Sequence, residues 1–263
     1  MSYNLFIWIN QSNGDTLGII PVLELLFKTY PDVKVRFACY EDQAYLVEHL
    51  PMELFPIKGN YRNIPQRVNF FEKIDPSFYE GFTTIHLWGG LYKFKHNWVD
   101  QVRTFNNQCK EKKLDLFLDE SKPGFIELSN VEVDVKEKSV FVENGVTVSG
   151  HSDYSFDMYK LSLMFPKTNF YITSAVNFTA LNIIDCSKCN LIELANISKK
   201  CELIIGKGSG PFMCTYSHTN KDKGLYLMGL WHEFAQWNDE FKVILLNNEE
   251  EMFDLIRPIN RRK

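Results

Sequence analysis

Gly14-Asp15-Thr16-Leu17-Gly18-Ile19-Ile20-Pro21 near the start of the chain and Gly206-Lys207-Gly208-Ser209-Gly210-Pro211 in its second half decide the fold. Each follows an apolar run of strand character, Asn4 to Ile9 and Leu203-Ile204-Ile205, and each leads into helix-like sequence. A strand that ends in a tight turn and feeds a helix is the corner at which open α/β sheets bind ligands. Two such corners, one per half, predict an α/β protein of two Rossmann-like domains facing a cleft.

Working outward, the first corner is followed by a helical pattern with apolar positions Leu17, Ile20, Leu23, Leu26 and Phe27. Pro21 interrupts it, so the helix either bends there or becomes regular only near Gly18 to Ile20. Val33 to Cys39 reads as the next strand and Glu41 to His49 as the next helix, which gives the β-α-β-α opening of a doubly wound sheet. Thr84 to Trp88 reads as a strand and Trp98 to Cys109 as a helix, whereas residues 51–82 are less regular and rich in aromatics. After linker-like Leu128 to Lys138 a second series begins at Ser139 to Glu143. Strands are expected at Asn169 to Thr173, Cys201 to Ile205 and Lys242 to Leu246, and helices at Tyr154 to Phe165, Leu191 to Lys199 and Glu249 to Ile256. The predicted domains are residues 1–136 and 137–263.

The chain has 263 residues, 45% of them hydrophobic and 14% aromatic, which is enough for one large core or two small ones. Its net charge is −4 and its basic residues are scattered, so nothing suits a phosphate backbone and nucleic acid is not an expected partner. Neither a signal peptide nor a membrane-spanning run is recognisable, so the expectation is a cytoplasmic protein with at most peripheral membrane contact. Six cysteines are few for this length and read as reduced thiols. Cys186-Ser187-Lys188-Cys189 is followed by Cys201 and Cys214, but that later pair lacks knuckle spacing, so no metal site is assigned.

Several residues combine a plausible chemistry with a structural alternative. Asp15, at the first corner, is placed to take a proton from an incoming hydroxyl, or serves as the cap of the helix that follows. The glycines of 206–210 permit close backbone approach to phosphate oxygens, or form an ordinary turn with Pro211 at the first helical position. The loop matches neither GxGxxG nor GxxxxGK[ST]. His151, between a strand and a helix, is suited to a phosphate or a sugar hydroxyl, or is a surface loop histidine. Trp88 offers a stacking face for a sugar, or core packing.

Gly14-Asp15, then Pro21-Val22-Leu23, then Tyr30-Pro31-Asp32-Val33-Lys34-Val35 have the order and spacing found at the start of the ADP-heptose:lipopolysaccharide heptosyltransferases, glycosyltransferase family 9. Leu191-Ile192-Glu193-Leu194-Ala195 followed by Cys201 to Pro211 resembles that family's donor-site segment. The resemblance covers about half the chain and implies a GT-B fold, with the acceptor on the first domain and a nucleotide-sugar on the second. It implies metal-independent transfer with inversion, in which Asp15 is the general base. Donor contacts would come from Gly206, Gly208, Ser209, Gly210, Pro211, His151 and Glu193, and acceptor contacts from Asn13, Gly14 and Trp88. The expected partners are a nucleotide-sugar, as substrate and not as a cofactor, and a glycan or glycolipid acceptor.

This chain departs from the family at three points. Gly208 stands where the family has Asp, Met213 where it has His, and no phosphate-binding lysine is matched near His151. The sugar is therefore left open. Two alternatives to a transferase remain: a catalytically silent nucleotide-sugar or glycan-binding protein, and a nucleotide-sugar epimerase on the same fold.

Overall fold

The computed structural model describes residues 3–9, 13–58, 74–87, 98–145, 152, 154–229 and 238–262. The chain divides into two compact units, Met1–Gly124 and Phe125–Lys263.

In the first unit the strands are β1 (Asn4–Trp8), β2 (Lys34–Tyr40), β3 (Glu53–Ile57) and β4 (Thr83–His86). All pairings are parallel, in the order β3-β2-β1-β4. The chain steps outward from β1 to β3 and returns to add β4 on the other side, so the direction of winding reverses between β1 and β4. That reversal opens a crevice at the carboxyl ends of these two strands. Helix α1 (Asn13–Thr29) leaves from this crevice. Its positions 16–23 are buried all round, the pattern of a helix enclosed by its own domain and not one lying on a surface. Pro21 lies inside α1, where it lacks the N–H that the Leu17 carbonyl would otherwise receive. The helix thus starts before the Gly18–Ile20 position considered from sequence. Short α2 (Glu41–Ala44) replaces the longer helix expected to His49, the chain continuing in turns through residue 50. Helix α3 (Pro76–Tyr79) is capped by Asp75, whose carboxylate accepts from the Ser77 amide.

Helix α4 (Trp98–Glu111) buries Trp98, Val102, Phe105 and Cys109 at helical spacing and extends just beyond the expected stretch. It ends in a Schellman motif: the Leu114 amide donates to Cys109 O and the Lys113 amide to Lys110 O, with Lys113 at φ 55°.

The second unit holds six parallel strands, β5 (Ser139–Val142), β6 (Asn169–Ile172), β7 (Ile183–Asp185), β8 (Leu203–Gly206), β9 (Leu225–Met228) and β10 (Val243–Leu246), in the order β10-β9-β8-β5-β6-β7. Here the winding reverses between β5 and β8. β7 and β9 were not anticipated, and the helix expected over Tyr154 to Phe165 contracts to α5 (Met158–Met164), capped by the Asp157 side chain. Helix α6 (Leu191–Lys200) opens with a capping box formed by Asn190 and Glu193. At its other end the Lys223 ammonium donates to the carbonyls of Ser198, Lys199 and Cys201, which satisfies groups that a helix terminus leaves orphaned. After β8 comes the four-residue α7 (Gly210–Met213). Helix α8 (Glu249–Arg261) lays Met252, Phe253, Ile256 and Ile259 into the core formed by Val140, Val142, Phe170, Ile172 and Ile205.

The unit boundary falls earlier than the one expected after Lys136. Residues 125–138 have little regular structure but are tied to the second unit. The Ile126 amide donates to Tyr216 O (2.9 Å), Asn196 Nδ2 to Ser129 O (2.9 Å), Lys200 Nζ to Val133 O (2.6 Å), and the Lys136 amide to the Tyr171 hydroxyl (2.8 Å). In each of these ties the segment contributes a backbone amide or carbonyl.

All six cysteines are free, and five are buried. Burial pushes the thiols of Cys39, Cys109, Cys186 and Cys201 up to about 12. Among the described residues no group of His, Cys, Asp and Glu converges as a metal site, and no helix is long and apolar enough to cross a membrane.

Candidate functional site

Parallel strands expose their last residues in the crevice where winding reverses, and both units use that position. In the first unit, Asn13, Gly14 and Asp15 form the opening turn of α1, each half-buried. Asp15 lies within the helix's first turn, so it is not the residue preceding the helix. A carboxylate there is favoured by the amides of a helix start.

Gln43, which nothing in the sequence marked, organises this turn. Fully buried on α2, it accepts from Thr16 Oγ1 through Oε1 (3.2 Å) and donates from Nε2 to Asn13 Oδ1 (3.3 Å). One amide thus fixes two residues of the turn that carries Asp15.

At the same crevice, β1 and β4 end side by side with Trp8 and His86 in register. Their rings stack at 3.6 Å between centroids and 2° between planes. Burial lowers the His86 pKa to about 4, so the imidazole is neutral at physiological pH. Trp88, expected on the acceptor side, lies outside the described residues, as does His151 on the donor side.

In the second unit the crevice between β5 and β8 holds the glycine loop and one carboxylate. The Glu143 amide donates to Ile205 O (2.9 Å), which continues the β5–β8 ladder and sets Glu143 beside Gly206. A Cβ on Gly206 would lie 2.3 Å from the Phe212 ring and 3.0 Å from Glu143 Cβ, so only glycine fits. Gly208 has φ +76°, a conformation that glycine adopts without strain. Ser209 then stands as the cap of α7, and Pro211 is the second helical residue, where its missing N–H is no loss.

Glu143 is 1% exposed. Its Oε2 accepts from the Lys207 amide at 2.9 Å. Desolvation raises its pKa, and the Lys207 amide, the Ser209 hydroxyl, the Lys207 ammonium and the Ser209 amide each pull it back in part. Glu143 Oε1 and Ser209 Oγ are buried without a partner that meets hydrogen-bond geometry.

Next to Glu143, Asn144 clasps the end of β6, accepting from the Ser174 amide (2.8 Å) and donating to Ser174 O (2.9 Å). Gly145 lets the chain pass Ser174, since a Cβ there would lie 2.8 Å from its hydroxyl. The carboxyl ends of β5, β6 and β8 thus carry a carboxylate, serine and threonine hydroxyls and a glycine loop. Glu193 is the third residue of α6, and its carboxylate accepts from the Asn190 amide at 2.8 Å, so its observed role is in the cap.

This pair of doubly wound parallel sheets, each with its site at the winding reversal, is the architecture of GT-B glycosyltransferases. Among solved structures the chain resembles heptosyltransferase WaaC of E. coli, solved with ADP-2-deoxy-2-fluoro heptose (TM-score 0.63, 11% identity, covering 97% of this chain and 99% of that one). It also resembles a glycosyl transferase family 9 protein from Veillonella parvula (TM-score 0.61, 11% identity, 99% and 90% coverage). E. coli ADP-heptose lps heptosyltransferase II is a further match (TM-score 0.57, 10% identity, 98% of each chain). At this identity the likeness is one of fold. No protein-family model matches the chain, and no curated protein matches it in sequence.

Proposed function

We propose that this protein is a glycosyltransferase that moves a sugar from a nucleotide-sugar to a hydroxyl acceptor, a glycan or glycolipid, with inversion and without a metal. The observation that carries the reading is that Asp15 and the glycine loop, both singled out from sequence, stand at the two winding reversals of a fold matched along nearly the full chain. Asp15 takes the proton of the acceptor hydroxyl, the oxygen attacks the anomeric carbon, and the bond from that carbon to the diphosphate breaks. Amides of the 206–210 loop stabilise the charge that develops on the departing diphosphate. Cytoplasmic location with peripheral membrane contact fits a lipid-linked acceptor.

A transfer assay with ADP-, GDP- and UDP-sugars, with and without EDTA, tests this. Asp15→Asn should lower kcat about 10²–10⁴-fold, the range of general-base contributions, with donor affinity retained. Equal turnover by the variant would remove Asp15 from the mechanism.

A second reading, a nucleotide-sugar-binding protein without turnover, is favoured by Gly208, which leaves the loop without the side chain carried there by the family it resembles. Binding by calorimetry with neither transfer nor hydrolysis would select it.

A further inference from the structure

Loops that bind phosphate do so with amides aimed at empty space. In this loop the Lys207 amide is already bound by Glu143 Oε2 at 2.9 Å, and the Ser209 amide and hydroxyl also face that carboxylate. The crevice at the end of β8 is thus occupied from beneath by an anion of the protein's own. We propose that Glu143 is the resident anion of the glycine loop, and that a diphosphate docks on residues 206–210 only together with a proton taken up by this carboxylate. The inference rests on the donor-site reading given above.

Three observations support coupling through a proton and not through movement of the side chain. First, Glu143 is held in place: it is 1% exposed and its Oε2 accepts from the Lys207 amide at 2.9 Å. Second, Oε1 and Ser209 Oγ are both buried and unsatisfied. A proton on Oε1 lets that oxygen donate to the serine oxygen, reversing the direction of the contact that the Ser209 hydroxyl offers the ionised carboxylate. Third, burial already favours the neutral carboxyl, and a second anion on the same amides shifts it further in that direction.

Among the described residues, the other titratable groups around Glu143 do not supply this proton linkage. From the loop, the Lys207 ammonium faces it as a cation that lowers the pKa of the carboxylate. From α7, the Cys214 thiol is fully buried and held protonated by desolvation, with Glu143 pushing the same way. Among the described residues, the β6 end brings the Thr173 and Ser174 hydroxyls to Gly145, beside Glu143 Oε1. Glu143 is a positioning residue in this account: it shapes the loop and sets the condition for binding.

The experiment is titration calorimetry from pH 5 to 9, in paired buffers of different ionisation enthalpy, with ADP-glucose, GDP-mannose and UDP-glucose as probes. Their diphosphates are diesters and do not titrate in this range; uracil and guanine begin to lose a proton at its alkaline end, so uptake there is assigned to the protein from ADP-glucose. For the wild type we expect uptake approaching one proton per nucleotide at the alkaline end, with affinity falling toward tenfold per pH unit. Glu143→Gln, which keeps the acceptor for Lys207, should bind with no uptake, a flat pH profile and tighter affinity at pH 8. Binding by the wild type without proton uptake overturns the inference and leaves the donor site standing. If neither protein binds any of the three probes at any pH while both melt as folded proteins, the donor-site reading itself falls, and this inference with it.

Discussion

His86 sits flat against Trp8 at the end of β4 with its imidazole neutral, its pKa lowered to about 4 by burial. In the unfolded chain the same group titrates near 6.5. Between those values the unfolded chain takes a proton that the folded protein refuses, so stability should fall as pH drops from about 6.5 to about 4 and level off below. The loss attributable to this residue is at most about 3 kcal/mol. Urea unfolding of the wild type and His86→Phe at pH 7 and 4.5 measures it, and identical losses in the two proteins would remove His86 as the cause. At the same scale, Asp15 and the loop glycines were legible because they carry a local pattern of residue type and spacing. Glu143 and Gln43 were not. One ends a strand like many charged residues, the other lies in a four-residue helix, and each acts on a neighbour that only the fold brings close: Glu143 on Lys207, Gln43 on Asn13 and Thr16.

Among the elements, α1, α4, α6 and α8 and the strands β1, β2, β5, β6, β8 and β10 follow from periodicity, because each presents a sustained apolar face or run. β7, with three residues, is too short to show a period; β9 is as long as β5, β6, β8 and β10, and its Leu225-Tyr226-Leu227-Met228 run was not anticipated. Helix α5 was expected to be longer because Tyr154 and Phe156 also pack on the core, but they do so from the extended segment before the cap at Asp157. The end of α4 makes a quantitative test possible. Its Schellman motif places Lys113 at φ 55°, the conformation glycine adopts without cost, so Lys113→Gly should stabilise the protein by about 1 kcal/mol. Thermal or urea unfolding reads the change, and destabilisation would show that the lysine side chain matters more than its backbone.

At the scale of the molecule, two separate cores in one chain mean that a ligand held by a single unit protects that unit first. A nucleotide-sugar at about 100 times its dissociation constant should stabilise the second unit by about 2.7 kcal/mol. Hydrogen exchange should show protection concentrated in residues 139–262 and little change in β1 to β4. Uniform protection of both units, or protection of the first alone, would contradict a donor site on the glycine loop. The two-unit architecture was readable from two corners and the order of strands. The boundary was not, because hydrogen bonds from Asn196 and Lys200 to the carbonyls of residues 129 and 133 leave no trace in local composition.

Lys223, spent on three carbonyls at the end of α6, makes one of the chain's amines a reporter. Its ammonium is shielded by the carbonyls it serves, so an acylating reagent should label the exposed lysines of the native protein and leave this one silent. Mass spectrometry would then register modification at Lys223 only when the second unit opens, giving a covalent record of unfolding that needs no introduced probe.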